Sequence, residues 1–333
     1  MKINELQLQL FQLIKNKLPA EASVAEEVAK LLNISNDSAY RRLRGEKQIT
    51  FEELYTLALN YRISLDQLMN IQTGSILFHG NFLNPKTYRY NDYLSNMMHQ
   101  LAYFNSHKQK EFYYLCKDTP IFYYFISRDL AAFKYFFWMG TLIYFPEFRN
   151  RKVNLAEYPS ELETLGNKAN EIYTQLDSLE IWNIESWNTT FHQIDYYIDS
   201  QMFESDEEAL KIYEGMEKVV DHLEEQAKRG YKFLASDPDK KPGGKFKMYF
   251  NEIVIQDNHM MALLDNTRIS FVPHTAINFL MTRDIAYSEN FYQYVQNLVK
   301  RSTLISEVSE KERSRFFRRM HDRIDKRKEL LHV

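Results

Sequence analysis

Apolar residues recur at helical spacing along most of the chain, and the period changes once, in its last third. Near the N-terminus, three stretches start with a hydroxyl residue followed three positions later by Glu or Gln. They are Ser23 with Glu26, Thr50 with Glu53, and Ser64 with Gln67. In such pairs each side chain satisfies a backbone N–H that the first helical turn leaves without a partner. An apolar run of helical period follows each one: Val28, Ala29 and Leu32, then Leu54, Leu57 and Ala58, then Leu65 and Leu68. This predicts a compact array of short helices. Between the first two pairs a helix ends near Leu32, and Asn33 takes a left-handed turn. Ile34 plugs the core, and Ser35 caps a third helix running from about Asn36 to Arg44 and stopping at Gly45. Ala39 and Leu43, four apart, form its buried edge, leaving Asn36, Asp37, Tyr40, Arg41 and Arg44 outward.

The stretch 71–92, with Gly74, Gly80 and Pro85, reads as a junction in which SILF forms a short strand. From about 93 to 232 the pattern is helical again. Its stripes are Leu162, Leu165, Ala169, Ile172, Leu176 and Leu179; Ile184, Trp187, Phe191, Ile194 and Ile198; and Leu210, Tyr213, Met216, Val220, Leu223 and Ala227. Such stripes predict antiparallel helices in a bundle, with a helical-repeat stack as the alternative. SDPDKKPGG, 236–244, breaks the pattern. KFKMYFNEIVIQ, HMMALL, RISFVPH and NFLMTRD then read as strands of an antiparallel meander, turning at Asp257-Asn258 and Asp265-Asn266. Helix returns from about Ser288, with Phe291, Tyr294, Val295 and Leu298 on its apolar side.

The order AEEVAKLLNISNDSAYRRLRGEKQITFEELYTLALNYRISLDQLM resembles the helix-turn-helix domain of the Cro/C1 (lambda-repressor-like) type, over about residues 5–70. The positions that carry the resemblance are Ala29, Asn33, Ser35, Ala39 and Gly45, with the amphipathic segment Thr50 to Asn60 behind them. Three residues after Ala39, where that family usually has an apolar side chain, this chain has Arg42, and Leu43 takes the packing role. The resemblance implies five helices, the third docking in the major groove of double-stranded DNA with its N-terminal residues nearest the base edges. The expected contacts are Ser35, Asn36, Asp37, Ser38, Tyr40, Arg41, Arg44, Lys47 and Gln48. Arginine can fork onto guanine and asparagine onto adenine. Lys47 and Gln48, in the following loop, suit phosphates that set register.

The fold class expected is therefore mainly α. A five-helix Cro/C1-like domain over 1–72 and a linker over 73–92 precede a large helical bundle region over 93–235. A small antiparallel β-meander with C-terminal helices fills 236–333 and joins the bundle in one regulatory and dimerisation unit.

Charge sharpens this picture only locally. The chain carries a net charge of −3, and residues 1–70 balance nine Lys/Arg against nine Asp/Glu. Residues 36–50, however, hold four cations and two acids, where the reading helix needs positive potential. A second basic stretch, 311–328, has nine Lys/Arg and three acids. It reads first as a solvated helix packed through Phe316, Phe317, Met320 and Ile324, with nucleic-acid contact as the alternative.

With 44% hydrophobic residues, 23 Tyr, 23 Phe and only 9 Gly in 333 residues, the chain is a folded protein of long helices. A lone cysteine, Cys116, forms no internal disulfide and fits a reducing cytoplasm. The N-terminus has no signal-peptide core. The apolar run 121–145 contains Arg128, Asp129 and Lys134, each costing roughly 2.5–3.5 kcal/mol at a bilayer centre, so no membrane span is expected. The aromatic stretch 112–148 reads as core and interface, with an effector pocket as the alternative.

No motif for hydrolysis, phosphate binding or dinucleotide binding occurs, and PGGKFK at 242–247 lacks phosphate-loop spacing. His192, Asp195 and Asp199 share a helical face that could ligate a metal, although such triplets arise by chance, and Cys116 with His107 defines no dyad. The expected protein is a cytoplasmic, homodimeric, DNA-binding transcription regulator without cofactor, metal or catalysis, with a small-molecule or peptide effector left open. An interaction scaffold and an enzyme with an appended helix-turn-helix are the competing classes.

Overall fold

Hydroxyl caps and a left-handed asparagine set the helix boundaries at the N-terminus. In the computed structural model, which describes residues 3–18, 22–69, 75–80, 89–149, 151–253, 255, 257–275 and 277–331, Ser23 Oγ accepts from the Glu26 N–H at 3.4 Å and opens α2 (Val24–Leu32). Asn33 then turns the chain at φ 53. Ser35 Oγ accepts from the Ser38 N–H at 3.2 Å and opens α3 (Asn36–Leu43). Thr50 and Glu53 cap each other at 3.2 and 3.0 Å at the start of α4 (Phe51–Asn60). Helices α1 (Ile3–Lys15) and α5 (Leu65–Met69) complete the set. The Gln67 side chain lies outside the described residues. Leu10, Ile14, Val28, Ala39, Leu57 and Leu68 form the core.

The chain divides into two compact units, Met1–Leu77 and Phe78–Val333. In the junction, Gly74 and Pro85 fall outside the described residues. Ser75–Phe78 form no strand, whereas His79 exchanges two 2.7 Å backbone bonds with Met281.

The second unit is not the expected bundle beside a small meander. It is built on one seven-stranded mixed sheet in the order β6-β5-β4-β1-β2-β3-β7. The strands are β1 (Lys110–Cys116), β2 (Ser178–Trp182), β3 (Phe246–Phe250), β4 (Met260–Leu264), β5 (Thr267–Pro273), β6 (Phe279–Thr282) and β7 (Thr303–Leu304). The first three pair in parallel, and β4 joins antiparallel on the other side of β1. Only β4, β5 and β6 form the expected meander, turning at Asp265 with φ 50. Asp257-Asn258 makes no hairpin between β3 and β4. It lies in a connection that passes β2 and β1, which separate those two strands in the sheet.

Two strands thus lie inside the stretch read as helical. The reason is burial on both faces, which removes the alternation that marks a half-exposed strand. All five residues of β2 are buried. Leu179 continues the apolar stripe in sequence, yet α9 (Ser160–Thr174) has ended and Leu179 belongs to β2.

The remaining helices are α6 (Tyr90–Asn105), α7 (Ile121–Tyr124), α8 (Arg128–Phe137), α10 (Asn188–Asp199), α11 (Asp206–Arg229), α12 (Ile285–Lys300) and α13 (Glu310–Leu331). Most of them bury one face of the sheet, against Phe112, Tyr114, Trp182, Phe246 and Met248. The opposite face, with Tyr113, Leu115, Leu179, Ile181 and Met261, is covered through Phe291 and Val295 of α12. The aromatic stretch 112–148 is largely core, Phe112 to Cys116, Phe122 to Phe125 and Phe133 among its buried members.

A buried carboxylate sits at the centre of this unit. Glu180, with no exposed surface, accepts from Tyr123 Oη at 2.8 Å, Tyr173 Oη at 2.5 Å, Ser178 Oγ at 3.2 Å and Trp182 Nε1 at 2.9 Å. Buried Lys232 donates to the Tyr173 carbonyl at 3.0 Å and stands 3.7 Å from that ring, and burial pulls its ammonium down to about 7. Removing the carboxylate strands several buried donors at about 1–3 kcal/mol each. Glu180→Ala is therefore expected to destabilise this unit by roughly 3–5 kcal/mol. All three tryptophans, Trp138, Trp182 and Trp187, lie in this unit. Urea unfolding followed by their fluorescence reads the loss, and an unchanged midpoint would disprove the role.

Candidate nucleic-acid interface

Helix α3 is eight residues long, so its orientation depends on what its inward side chains hold. Ala39 is fully buried and Arg42 only 3% exposed. The Arg42 guanidinium forks onto Glu53 of α4, with Nε to Oε2 at 3.0 Å and Nη2 to Oε1 at 2.7 Å. Its third nitrogen donates to Ser38 Oγ at 2.7 Å and to the Ser38 carbonyl at 3.1 Å. Glu53 Oε2 also receives the Thr50 N–H at 3.0 Å, so one carboxylate both caps α4 and binds α3.

Gln7 of α1, itself buried, ties down the following loop. Its amide nitrogen donates to the carbonyls of Arg42 at 2.7 Å and Lys47 at 2.8 Å, and its oxygen accepts from the Ile49 N–H at 3.0 Å. Gly45 makes the intervening turn at φ 76, a backbone region that L side chains rarely adopt.

These contacts fix what faces solvent. Ser35, Asn36, Asp37, Tyr40, Arg41, Arg44, Lys47 and Gln48 are exposed. Ser38 is half-buried, and its hydroxyl is engaged by Arg42. Arg44 forms a solvent-exposed pair with Glu46 at 3.0 Å, a type worth about 0–1 kcal/mol and easily exchanged for a phosphate. Arg41 and Lys47 have no carboxylate partner in the contacts of the described residues. The outward positive charge is thus smaller than the sequence count, because Arg42 is neutralised inside.

Partial burial pushes the Glu53 carboxyl up. The Arg42 hydrogen bond, the Thr50 N–H and the charges of Arg42 and Lys47 outweigh it, leaving the group below its usual range. A carboxyl lowered in the folded state stabilises that state above its unfolded pKa, and this contribution fades as pH falls through the lowered value.

The Arg42–Glu53 pair and the Gln7 ties were not read from the sequence. The Thr50–Glu53 cap was visible, but its second duty needs α3 folded against α4. One further feature is a stripe on α4, where Phe51, Tyr55 and Leu59 are 78%, 60% and 66% exposed at four-residue spacing.

Elsewhere the candidates are engaged in structure. In α13, Phe316, Phe317, Met320 and Ile324 are buried, as the packed-helix reading expects. Arg313 donates to the Ile305 and Val308 carbonyls, Arg323 contacts Ile184 and Asn188, and Lys328 pairs with Glu217 at 2.9 Å. Asp195 receives Tyr213 Oη at 3.4 Å and lies 3.7 Å from Arg327, while His192 and Asp199 are exposed. Among the described residues no cluster of His, Cys, Asp or Glu is arranged for a metal. Cys116 is buried, and burial pushes its thiol well up, whereas His107 bonds the Tyr103 carbonyl at 2.9 Å. No helix of the described residues is long and apolar enough to cross a membrane.

Residues 6–84 match the family model described as BetR domain, a helix-turn-helix-like domain associated with transcription regulation. The match covers the whole described α3 region and under a quarter of the chain. The match associates the N-terminal unit with a DNA-binding regulatory role without specifying the Cro/C1 type. No curated protein and no solved structure matches the chain.

Breaking the inward pair is expected to unfold the N-terminal unit selectively. Arg42→Ala leaves Glu53 unpaired and costs about 3–5 kcal/mol, read by the helical circular dichroism signal. Arg42→Met with Glu53→Gln keeps the cap and recovers most of that loss. Below about pH 4 the native unit should lose stability while this double variant does not. Equal acid sensitivity in the two proteins would contradict the assignment.

Proposed function

We propose that the chain is a sequence-specific regulator of transcription that binds double-stranded DNA as a homodimer. Helix α3 enters the major groove. Arg41 and Arg44 read guanine, Asn36 reads adenine, and Tyr40 and Ser35 contact the surrounding backbone and thymine. Lys47 and Gln48 hold phosphates and set register. Asp37 lies at the same exposed edge and selects against bases that present acceptors. The second unit supplies dimerisation and effector response without catalysis or a cofactor, in a cytoplasmic protein.

One observation supports this reading above the others. The inward lock on Arg42 leaves Asn36, Tyr40, Arg41 and Arg44 exposed together on a helix held from behind. A single short helix spans few base pairs, so a two-fold pair reading inverted half-sites about 34 Å apart fits best.

The test is selection of a site from random duplexes, followed by binding titrations over a salt series. Arg41→Ala with Arg44→Ala should abolish preference for the selected site, each lost base contact costing about 1–3 kcal/mol. Lys47→Ala should weaken all duplexes alike and reduce the salt slope by about one. Selectivity retained by the double arginine variant would overturn the assignment of α3.

A protein-interaction reading is favoured by the exposed Phe51, Tyr55 and Leu59 stripe, which adds a contiguous apolar surface to this small unit. It predicts that Tyr55→Glu abolishes the biological output while duplex affinity and selectivity stay intact. On the DNA reading, the arginine double variant abolishes that output.

A further inference from the structure

The thinly covered face of the sheet contains a cleft of about 250 Å³, between the end of β1, the connection preceding β4, and α12. Its deep lining is apolar, made of Leu115, Ile255 and Phe291, which are 3%, 5% and 8% exposed. Tyr287 and Tyr294 of α12 border the same space, Tyr294 being 49% exposed. His259 packs on Phe291 with ring centroids 5.3 Å apart, and Phe291 stacks near Tyr294 at 6.4 Å. A continuous bank of rings therefore lines one side.

The polar part of the lining has one sign. Asp257 is an exposed carboxylate at the cleft and has no cationic partner in the contacts of the described residues. Among the described residues neither lysine nor arginine lines the space. Burial lowers the His259 ring below its ordinary range, against the opposing charge of Asp257. Asn290 adds a neutral amide. An anion entering here meets a carboxylate and aromatic rings. A cation meets attraction from both, because ring faces carry the negative end of the aromatic quadrupole.

We propose that this cleft binds a small organic ammonium ion. Its charged head lies between Asp257 and the rings of Tyr287 and Tyr294, and its apolar body rests on Leu115, Ile255 and Phe291. The space accommodates about ten to fifteen heavy atoms, judged against pockets of 300–1,000 Å³ that hold drug-sized ligands. This inference stands independently of DNA binding, and its test contains no DNA.

The test measures binding to the full chain by calorimetry, with 2-phenylethylammonium and butylammonium as probes. Their neutral isosteres, 2-phenylethanol and butanol, and the anion phenylacetate serve as comparisons. At least one ammonium should bind saturably and at least tenfold more tightly than its alcohol, and phenylacetate should not bind. Asp257→Asn should bring the ammonium down to the level of the alcohol. Tyr294→Ala, at a half-exposed position that the fold tolerates, should weaken the ammonium as well. Failure of both ammonium ions to bind, binding no tighter than the alcohols, or a preference that survives Asp257→Asn would each overturn the proposal.

Discussion

The buried guanidinium of Arg42 constrains everything that α3 can present. A helix advances about 100° per residue, so turning position 42 inward against Glu53 directs 41 and 44 to the far side, about 60° from one another. No apolar side chain at 42 would tie α3 to α4 with the same directionality, because dispersion contacts tolerate rotation and a bidentate fork does not. The carboxylate that completes the fork is also the third residue of the α4 cap, so the start of one helix and the roll of its neighbour are set together. Gln7 extends the same bracing to the loop that carries Lys47 and Gln48.

This bracing has an electrostatic cost that bears on recognition. Of the arginines packed into residues 41–44, one is neutralised internally and one is matched by Glu46 at the surface. The unit is therefore weakly charged overall, and general attraction to a polyanion is modest. On the proposed DNA-binding reading, selectivity would rest on directional hydrogen bonds from a preorganised helix. The small loss of freedom on binding that follows from such bracing favours that arrangement.

Legibility in the sequence followed the range of the interactions. Ser23, Asn33, Ser35, Gly45 and the Thr50–Glu53 pair act on neighbours within a few residues, and the boundaries they announce are those of α2, α3 and α4. Asp265-Asn266 was readable for the same reason. Arg42 could be recognised as a departure from the expected apolar residue, but its partner stands eleven positions away and only the tertiary fold brings them together. Strands β1 and β2 were hidden because both of their faces are covered, which erases the period of two. Glu180 was equally silent, since its donors Tyr123 and Tyr173 come from α7 and α9.

The order of strands in the sheet also bears on how the protein is made. Central β1 hydrogen-bonds to β2 on one side and to β4 on the other, and β4 follows β1 by more than 140 residues in the chain. At ribosomal rates of about 5–20 residues per second, β1 waits on the order of ten seconds or more with an unpaired, aromatic-rich edge. During that interval the first unit, built from local contacts, has time to finish folding. The pairing of residues 110–114 with β4 can therefore close only after residue 264 has been made.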